Sequence, residues 1–279
     1  MSLRGSFFII LVFLCLACEA GFAGDTKREA DFADEIAKMQ IVGKRVWLET
    51  QGNKFLALYT ETEKKLSHGA VIILHDQGGH PNQLQLIKTL RTVLPEHRWS
   101  TLSLQMPLRE ADATENDYYA LFPEALARIQ AGLSYLQGNK IDSIILAGYG
   151  LGALMAVYAQ SEKPLAIKAI AAISLAVPAS QNKSVQTLEF IKKIDVPLLD
   201  IYAEQDQATV VDSARDRRIS AKANAAYRQD KINNESHLYQ YDEGLVVKRI
   251  YSWIERVLAS LPPSAEAVTT SGTSTTPPQ

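Results

Sequence analysis

Four short, almost continuous apolar runs set the terms on which this chain can fold: Ala70–Leu74, Ser143–Ala147, Ala169–Ser174 and Pro197–Tyr202. A strand wetted on one face alternates apolar and polar residues, whereas one covered on both faces reads as an unbroken apolar run. Parallel strands of that kind need crossover segments, and helical patterns fill the gaps. Asn82–Leu94 places Leu86, Leu90 and Leu94 at four-residue spacing. Phe122–Gln137 has Pro123 in its first turn and Leu126, Ile129, Leu133 and Leu136 on one face. Gly244–Leu258 aligns Val246, Ile250 and Ile254. Trp99–Gln105, more polar, and Tyr227–Ile232 are further strand candidates. Ahead of them all, Arg45–Thr50 and Lys54–Thr60 flank Gln51-Gly52-Asn53 and predict an antiparallel hairpin. The expected architecture is α/β: a single doubly wound, mostly parallel sheet with an antiparallel N-terminal hairpin.

The two ends of the chain read differently. Arg4 precedes an apolar run, Phe7 to Ala17, and small residues follow at Gly21-Phe22-Ala23. A basic start, a short apolar stretch and a small-x-small site predict a secretory signal peptide over 1–23, cut before Gly24. A buried N-terminal helix or a membrane anchor is the competing reading. Both cysteines, Cys15 and Cys18, lie inside this segment, so the mature chain would contain none. Thiol catalysis, thiolate metal sites and disulfides would then be excluded. Leu16-Ala17-Cys18 is lipobox-like and makes lipidation at Cys18 a minor alternative, although Cys15 stands where that motif wants leucine. Residues 24–44 read as a lead-in, 45–261 as the folding unit, and 262–279 as a disordered Ser/Thr/Pro tail without apolar period. The expected location is periplasmic or secreted, with no transmembrane segment in the mature chain. Against 29 Lys and Arg stand 31 Asp and Glu, a net −2, and loss of Arg4 and Glu19 with the signal leaves it unchanged. No basic excess is available to neutralise phosphates, which excludes a general nucleic-acid binder.

In a sheet of this kind the chemistry belongs just past the carboxyl ends of the strands. His75-Asp76-Gln77-Gly78-Gly79-His80-Pro81 follows the first apolar run. Its glycines permit a sharp turn whose amides can point at an oxyanion; the plainer reading is a tight turn with its histidines satisfied by nearby backbone. His75 and His80 lack a matching carboxylate cluster, so no metal is predicted. Gly148-Tyr149-Gly150-Leu151-Gly152-Ala153 joins a strand to a helix, as a nucleophile elbow does, but Gly150 stands where the G-x-S-x-G pattern has serine. Gly148, Gly150 and Ala153 also fit G-x-G-x-x-A. That dinucleotide motif needs an acid about 20 residues on, and Lys168–Ser174 supplies none, so no cofactor is predicted.

From about Arg45 to Leu258, these pieces in this order resemble the α/β-hydrolase superfamily. His75 to Gly79 is similar to the His-Gly-x-Gly-Gly that follows that family's third strand, with Asp76 replacing the first glycine. The resemblance implies that Gln77 and Leu151 supply oxyanion-hole amides, and that Asp206, after Pro197–Tyr202, is the acid. It implies His237, before the final helix, as the base, and Gly150 as a vacant nucleophile position. His75 and Tyr149 are candidate binding residues beside them. The signal peptide, the missing serine and Tyr227-Arg228-Gln229 resemble an uncharacterised bacterial family of exported hydrolase-like proteins, which brings no established activity.

The serine of such a triad is the covalent attacker; the histidine moves protons and the acid orients it. Gly150 has no side chain, so acyl-enzyme chemistry of the family type has no attacker there. Three readings stay open. The chain is a non-catalytic binding or scaffolding protein whose cleft holds a small molecule or an envelope protein, which is the favoured one. It is a divergent hydrolase in which His237 activates water. Or it is an interaction module working through its tail. Asp206 and His237 are then either an acid–base pair or a relic tying two loops together.

Overall fold

In a computed structural model the described residues are 24–179 and 185–260. The expected signal segment and Ser/Thr/Pro tail lie outside them. Eight strands make one sheet in the order β1-β2-β4-β3-β5-β6-β7-β8. They are β1 Lys44–Thr50, β2 Asn53–Thr60, β3 Gly69–Leu74, β4 Trp99–Leu104, β5 Ile144–Tyr149, β6 Ala169–Ile173, β7 Leu198–Gln205 and β8 Tyr227–Ser236. β2 is antiparallel to both its neighbours, and all pairings from β4 to β8 are parallel. This is the mostly parallel sheet with an N-terminal hairpin that the sequence predicts.

The helices are α1 Thr26–Lys38, α2 Leu86–Val93, α3 Glu115–Tyr118, α4 Phe122–Gly138, α5 Leu151–Glu162, α6 Thr187–Lys193, α7 Ala208–Val211, α8 Ala214–Ser220 and α9 Glu243–Ser260. They explain the unbroken apolar runs. Ala70, Ile72 and Leu74 of β3 pack with α4, α5 and α6 on one face. Val71 and Ile73 of the same strand pack with α2 and α9 on the other. No position in β3 is left for water, so each one is apolar. Full burial of such side chains is worth about 1.5–3 kcal/mol each.

Two local departures have physical causes. The helix expected from Asn82 begins at Leu86, because Gln85 has φ +60 and cannot continue a right-handed turn. Asn82 Oδ1 instead accepts a hydrogen bond from Nη2 of the buried Arg91, 2.8 Å away. The other departure is α1, which falls in the expected lead-in. Asp25 caps it by accepting from the Arg28 N–H (3.0 Å), and Ala33 and Ile36 pack against Leu56 and Leu58 of β2. Glu29 then locks the helix down. Arg128 of α4 holds both its oxygens, Nη1 to Oε2 at 2.9 Å and Nη2 to Oε1 at 3.0 Å, and also binds Glu124. All three side chains are buried.

At the far edge a second buried pair joins β7 to α8: Arg217 Nε donates to Asp200 Oδ2 at 2.8 Å, both fully buried. Tyr227 and Gln229 of β8 donate to that same oxygen at 2.8 and 2.9 Å. The Tyr227-Arg228-Gln229 stretch thus grips the neighbouring strand.

Candidate functional site

The carboxyl ends of β3, β5, β6, β7 and β8 converge on one point, and each following loop contributes to it. Gly150, between β5 and α5, has φ +56 and ψ −120, a conformation that strains any residue with a side chain. The elbow is therefore retained as backbone. Gly148 and Gly152 allow it: a Cβ on the first would strike Gly152 and Ala153, and one on the second the backbone of Leu74 and His75.

The space a serine would fill at position 150 is taken by Asp76, which arrives from the loop after β3. A Cβ built on Gly150 would overlap the Asp76 carboxyl group. Asp76 Oδ1 accepts the Leu151 N–H at 2.7 Å, and Oδ2 hydrogen-bonds His237 Nε2 at 2.9 Å. On its other side, His237 Nδ1 lies 2.7 Å from Asp206 Oδ1. The result is a continuous Asp76–His237–Asp206 row. Asp206 is anchored in turn by the Ser174 hydroxyl (2.6 Å) and the Ala203 N–H (3.1 Å), and Tyr239 hydrogen-bonds Ser174 at 2.9 Å. Tyr149 holds the histidine loop: its ring stacks on the imidazole at 5.1 Å and its hydroxyl donates to the His237 carbonyl at 2.8 Å.

The electrostatics follow from this packing. Burial alone would disfavour a charged His237, but hydrogen bonds and attraction from Asp206 and Asp76 outweigh it and push the pKa up to about 9. At neutral pH both ring nitrogens carry hydrogen and donate. Burial would raise Asp206, yet the bonds from His237, Ser174 and the Ala203 amide bring it below the usual carboxylate value. Burial and the two nearby carboxylates push the Tyr149 hydroxyl up, which keeps it a neutral donor.

A cleft of about 340 Å³ opens over this row. Its walls include Asp76, His237, Gln77, Glu115, Ser174 and Arg28, the last delivered by α1. Burial, and then the charge of Asp76, raise the Glu115 pKa against a hydrogen bond from Tyr119. Arg28 donates to two carbonyl oxygens, those of Arg109 (2.9 Å) and Gly78 (3.3 Å).

The structure therefore brings Gly150, Leu151, Asp206, His237 and Tyr149 together. Gln77 lies at the rim, where its side chain donates to the Ala113 carbonyl at 3.3 Å. His75 is corrected as a binding residue: it is 2% exposed and faces inward. Its Nε2 accepts the Met106 N–H at 2.9 Å, and Nδ1 is 2.7 Å from the Asp76 carbonyl. Burial lowers its pKa to about 4, so it is neutral and has no free nitrogen for a ligand. His80 accepts the Asn82 N–H at 3.2 Å and packs against Phe32. Among the described residues no His, Cys, Asp or Glu group is arranged to hold a metal ion, and no helix is long and apolar enough to cross a membrane.

The residue that sequence reasoning missed is Asp76. Its signal was a pair of departures: a charge where the first loop has glycine, and glycine where the second has serine. The two loops lie against each other, so these changes compensate in space.

The family model described as "Protein of unknown function (DUF3530)" matches residues 42–127 and 124–256. No curated protein matches the chain. Among solved structures it is similar to Est1E from Butyrivibrio proteoclasticus, at 18% identity and TM-score 0.62, over 77% of this chain and 99% of that one. It is similar to the esterase Pf2001 from Pyrococcus furiosus, at 17% identity and TM-score 0.63, over 78% and 98%. The esterase domain of a Rhodothermus marinus protein aligns at 17% identity and TM-score 0.59, over 78% and 99%. At such identities the likeness concerns the α/β-hydrolase fold.

Proposed function

The chain belongs to the family described as Protein of unknown function (DUF3530), and from that premise we propose an exported α/β-hydrolase-fold protein of the cell envelope with a non-catalytic, ligand-binding cleft. One observation carries this reading. Asp76 engages at once the two groups an elbow serine would use, the Leu151 N–H and His237 Nε2. Position 150 offers no hydroxyl to attack, and the amide that would stabilise a tetrahedral oxyanion already holds a carboxylate oxygen. Water activation by His237 meets a similar obstacle at neutral pH, because both its nitrogens donate to carboxylates and neither has a free lone pair. What remains is a polar cleft with Arg28 and Glu115 on its walls, suited to a small polar ligand. The test is a fluorophosphonate probe on the purified protein, with no labelling expected. Covalent labelling at a cleft serine such as Ser174 overturns the reading.

A second reading has its own observation: Oδ1 of Asp76 is pinned by the elbow amide, Oδ2 is hydrogen-bonded to His237, and the residue lines the cleft. A carboxylate so held is placed to attack carbon. Oδ2 would displace halide from an alkyl halide, forming an ester on Asp76. Esterified Asp76 carries no charge, so His237 gives up its extra proton to solvent; water then adds to the ester carbonyl and passes one proton to Nε2. That proton goes to the alkoxide as it leaves, and the new carboxyl group loses its own to reform the carboxylate with one water oxygen. Incubation with an alkyl halide in H₂¹⁸O decides this: ¹⁸O in the Asp76 peptide, with alcohol and halide released, establishes it. No incorporation and no release leaves the non-catalytic reading standing.

A further inference from the structure

Arg128, Glu29 and Glu124 form a buried cluster with two carboxylates for one guanidinium. Glu29 spends both oxygens on Arg128 and accepts the Leu108 N–H as well. Glu124 does not balance in the same way. Its Oε1 accepts from Arg128, while its Oε2 is buried with no hydrogen-bond partner among the described residues, on a residue 5% exposed. A buried carboxylate oxygen left unsatisfied forfeits its hydration with nothing in return. Some donor belongs there.

Gly24 stands beside that oxygen. A Cβ on Gly24 would lie 3.4 Å from Glu124 Oε2, 3.8 Å from Oε1 and 3.6 Å from the Leu108 carbonyl oxygen. The neighbouring backbone is fixed: the Thr26 N–H bonds the Gly24 carbonyl at 3.0 Å, and the Asp25 N–H bonds the Leu108 carbonyl at 2.7 Å. Gly24 is also the residue at which the small-x-small site predicts cleavage. Hydrolysis of the peptide bond between residues 23 and 24 consumes one water, leaves a carboxylate on Ala23 and frees the Gly24 amine, which takes a proton at neutral pH. Rotation of about 120° about the Cα–C bond then carries the nitrogen to where that Cβ would sit, within ion-pair reach of both Glu124 oxygens.

We propose that the α-ammonium of Gly24, released by signal cleavage, docks on Glu124 and completes the buried Glu29–Arg128–Glu124 cluster, so that processing finishes the fold. In an uncleaved chain the nitrogen of residue 24 is an uncharged amide, and among the described residues no cation reaches Glu124 Oε2. The cluster joins α1 to α4, and α1 carries Arg28 to the cleft, so the new N-terminus braces one wall of the candidate site.

The inference rests on the export part of the reading above, and intact mass separates the two. Full-length precursor produced in an exporting bacterium should yield a protein beginning at Gly24. An unprocessed chain overturns export and inference together; cleavage at another residue overturns the inference alone. An amine-reactive acylating reagent at neutral pH should spare the folded protein's Gly24 amine, and rapid labelling overturns the docking. In a thermodynamic cycle, mature protein is compared with a form retaining one extra residue, Ala23, each with Glu124 or Glu124→Gln. Retained Ala23 should lower the folding equilibrium constant about tenfold or more with Glu124 and have little effect with Glu124→Gln. Equal losses in both backgrounds, or none in either, overturn it.

Discussion

Asp76 and Gly150 share one volume, although they come from different loops and stand 74 positions apart in the chain. A side chain can occupy that space from only one of them at a time. This coupling gives the first prediction.

Gly150→Ser alone should not create an esterase. The new Cβ meets the Asp76 carboxyl group on a backbone at φ +56, so the variant should lose at least about 1–3 kcal/mol of stability. Combined with Asp76→Gly, the serine has room beside His237 and a free Leu151 amide. The double variant should hydrolyse p-nitrophenyl acetate above the background of either single variant. A double variant that folds but is inert would show that the His237 geometry is not that of a base.

Asp76→Asn keeps the shape and removes one charge from the imidazole. The pKa of His237 should fall from about 9 by about one unit or more. An NMR titration of the imidazole resonances reads this directly, and an unmoved pKa would place the main influence elsewhere.

Stability should depend on pH through the same residue. His237 titrates near 6.5 when unfolded and near 9 when folded, so folding favours its protonated form. Its contribution is complete below pH 6.5 and is lost as pH rises through 9, at most on the order of 3 kcal/mol. Asp206 acts with the opposite sign: its depressed pKa gives stability above its usual value that vanishes on acidification. Urea midpoints across this range should peak between the two limits, and the alkaline decline should shrink in His237→Gln.

Removing the cation between α1 and α4 should be severe. Arg128→Met strands two buried carboxylates and should cost about 3–5 kcal/mol in chemical denaturation. Glu29→Gln, which leaves Arg128 paired with Glu124, should cost less.

The sheet was legible because its runs are physically forced: a strand such as Ile144–Tyr149, covered on both faces, can be little but apolar. The elbow was legible for a similar reason, since Gly148, Gly150 and Gly152 answer to backbone crowding and a positive φ. Helix α1 was not, because its stretch from Thr26 to Lys38 is mostly polar and its anchor, Glu29, meets an arginine 99 positions away. Asp76 escaped for a related reason. A motif records which residue type stands at each position along the chain, and the function of this aspartate depends on what is missing at another position. His75 was misjudged because a buried imidazole bonded to backbone has the same letter as one facing a ligand.

The Tyr149 clamp on the His237 loop does not involve position 150. Tyr149 and Asp206 thus hold His237 through contacts in which residue 150 takes no part. For natural variation this predicts that positions 76 and 150 can change together while His237 and Asp206 stay paired. A search of this fold that keys on the residue at position 150 alone would therefore miss the pairing that its partner position, 76, makes with His237.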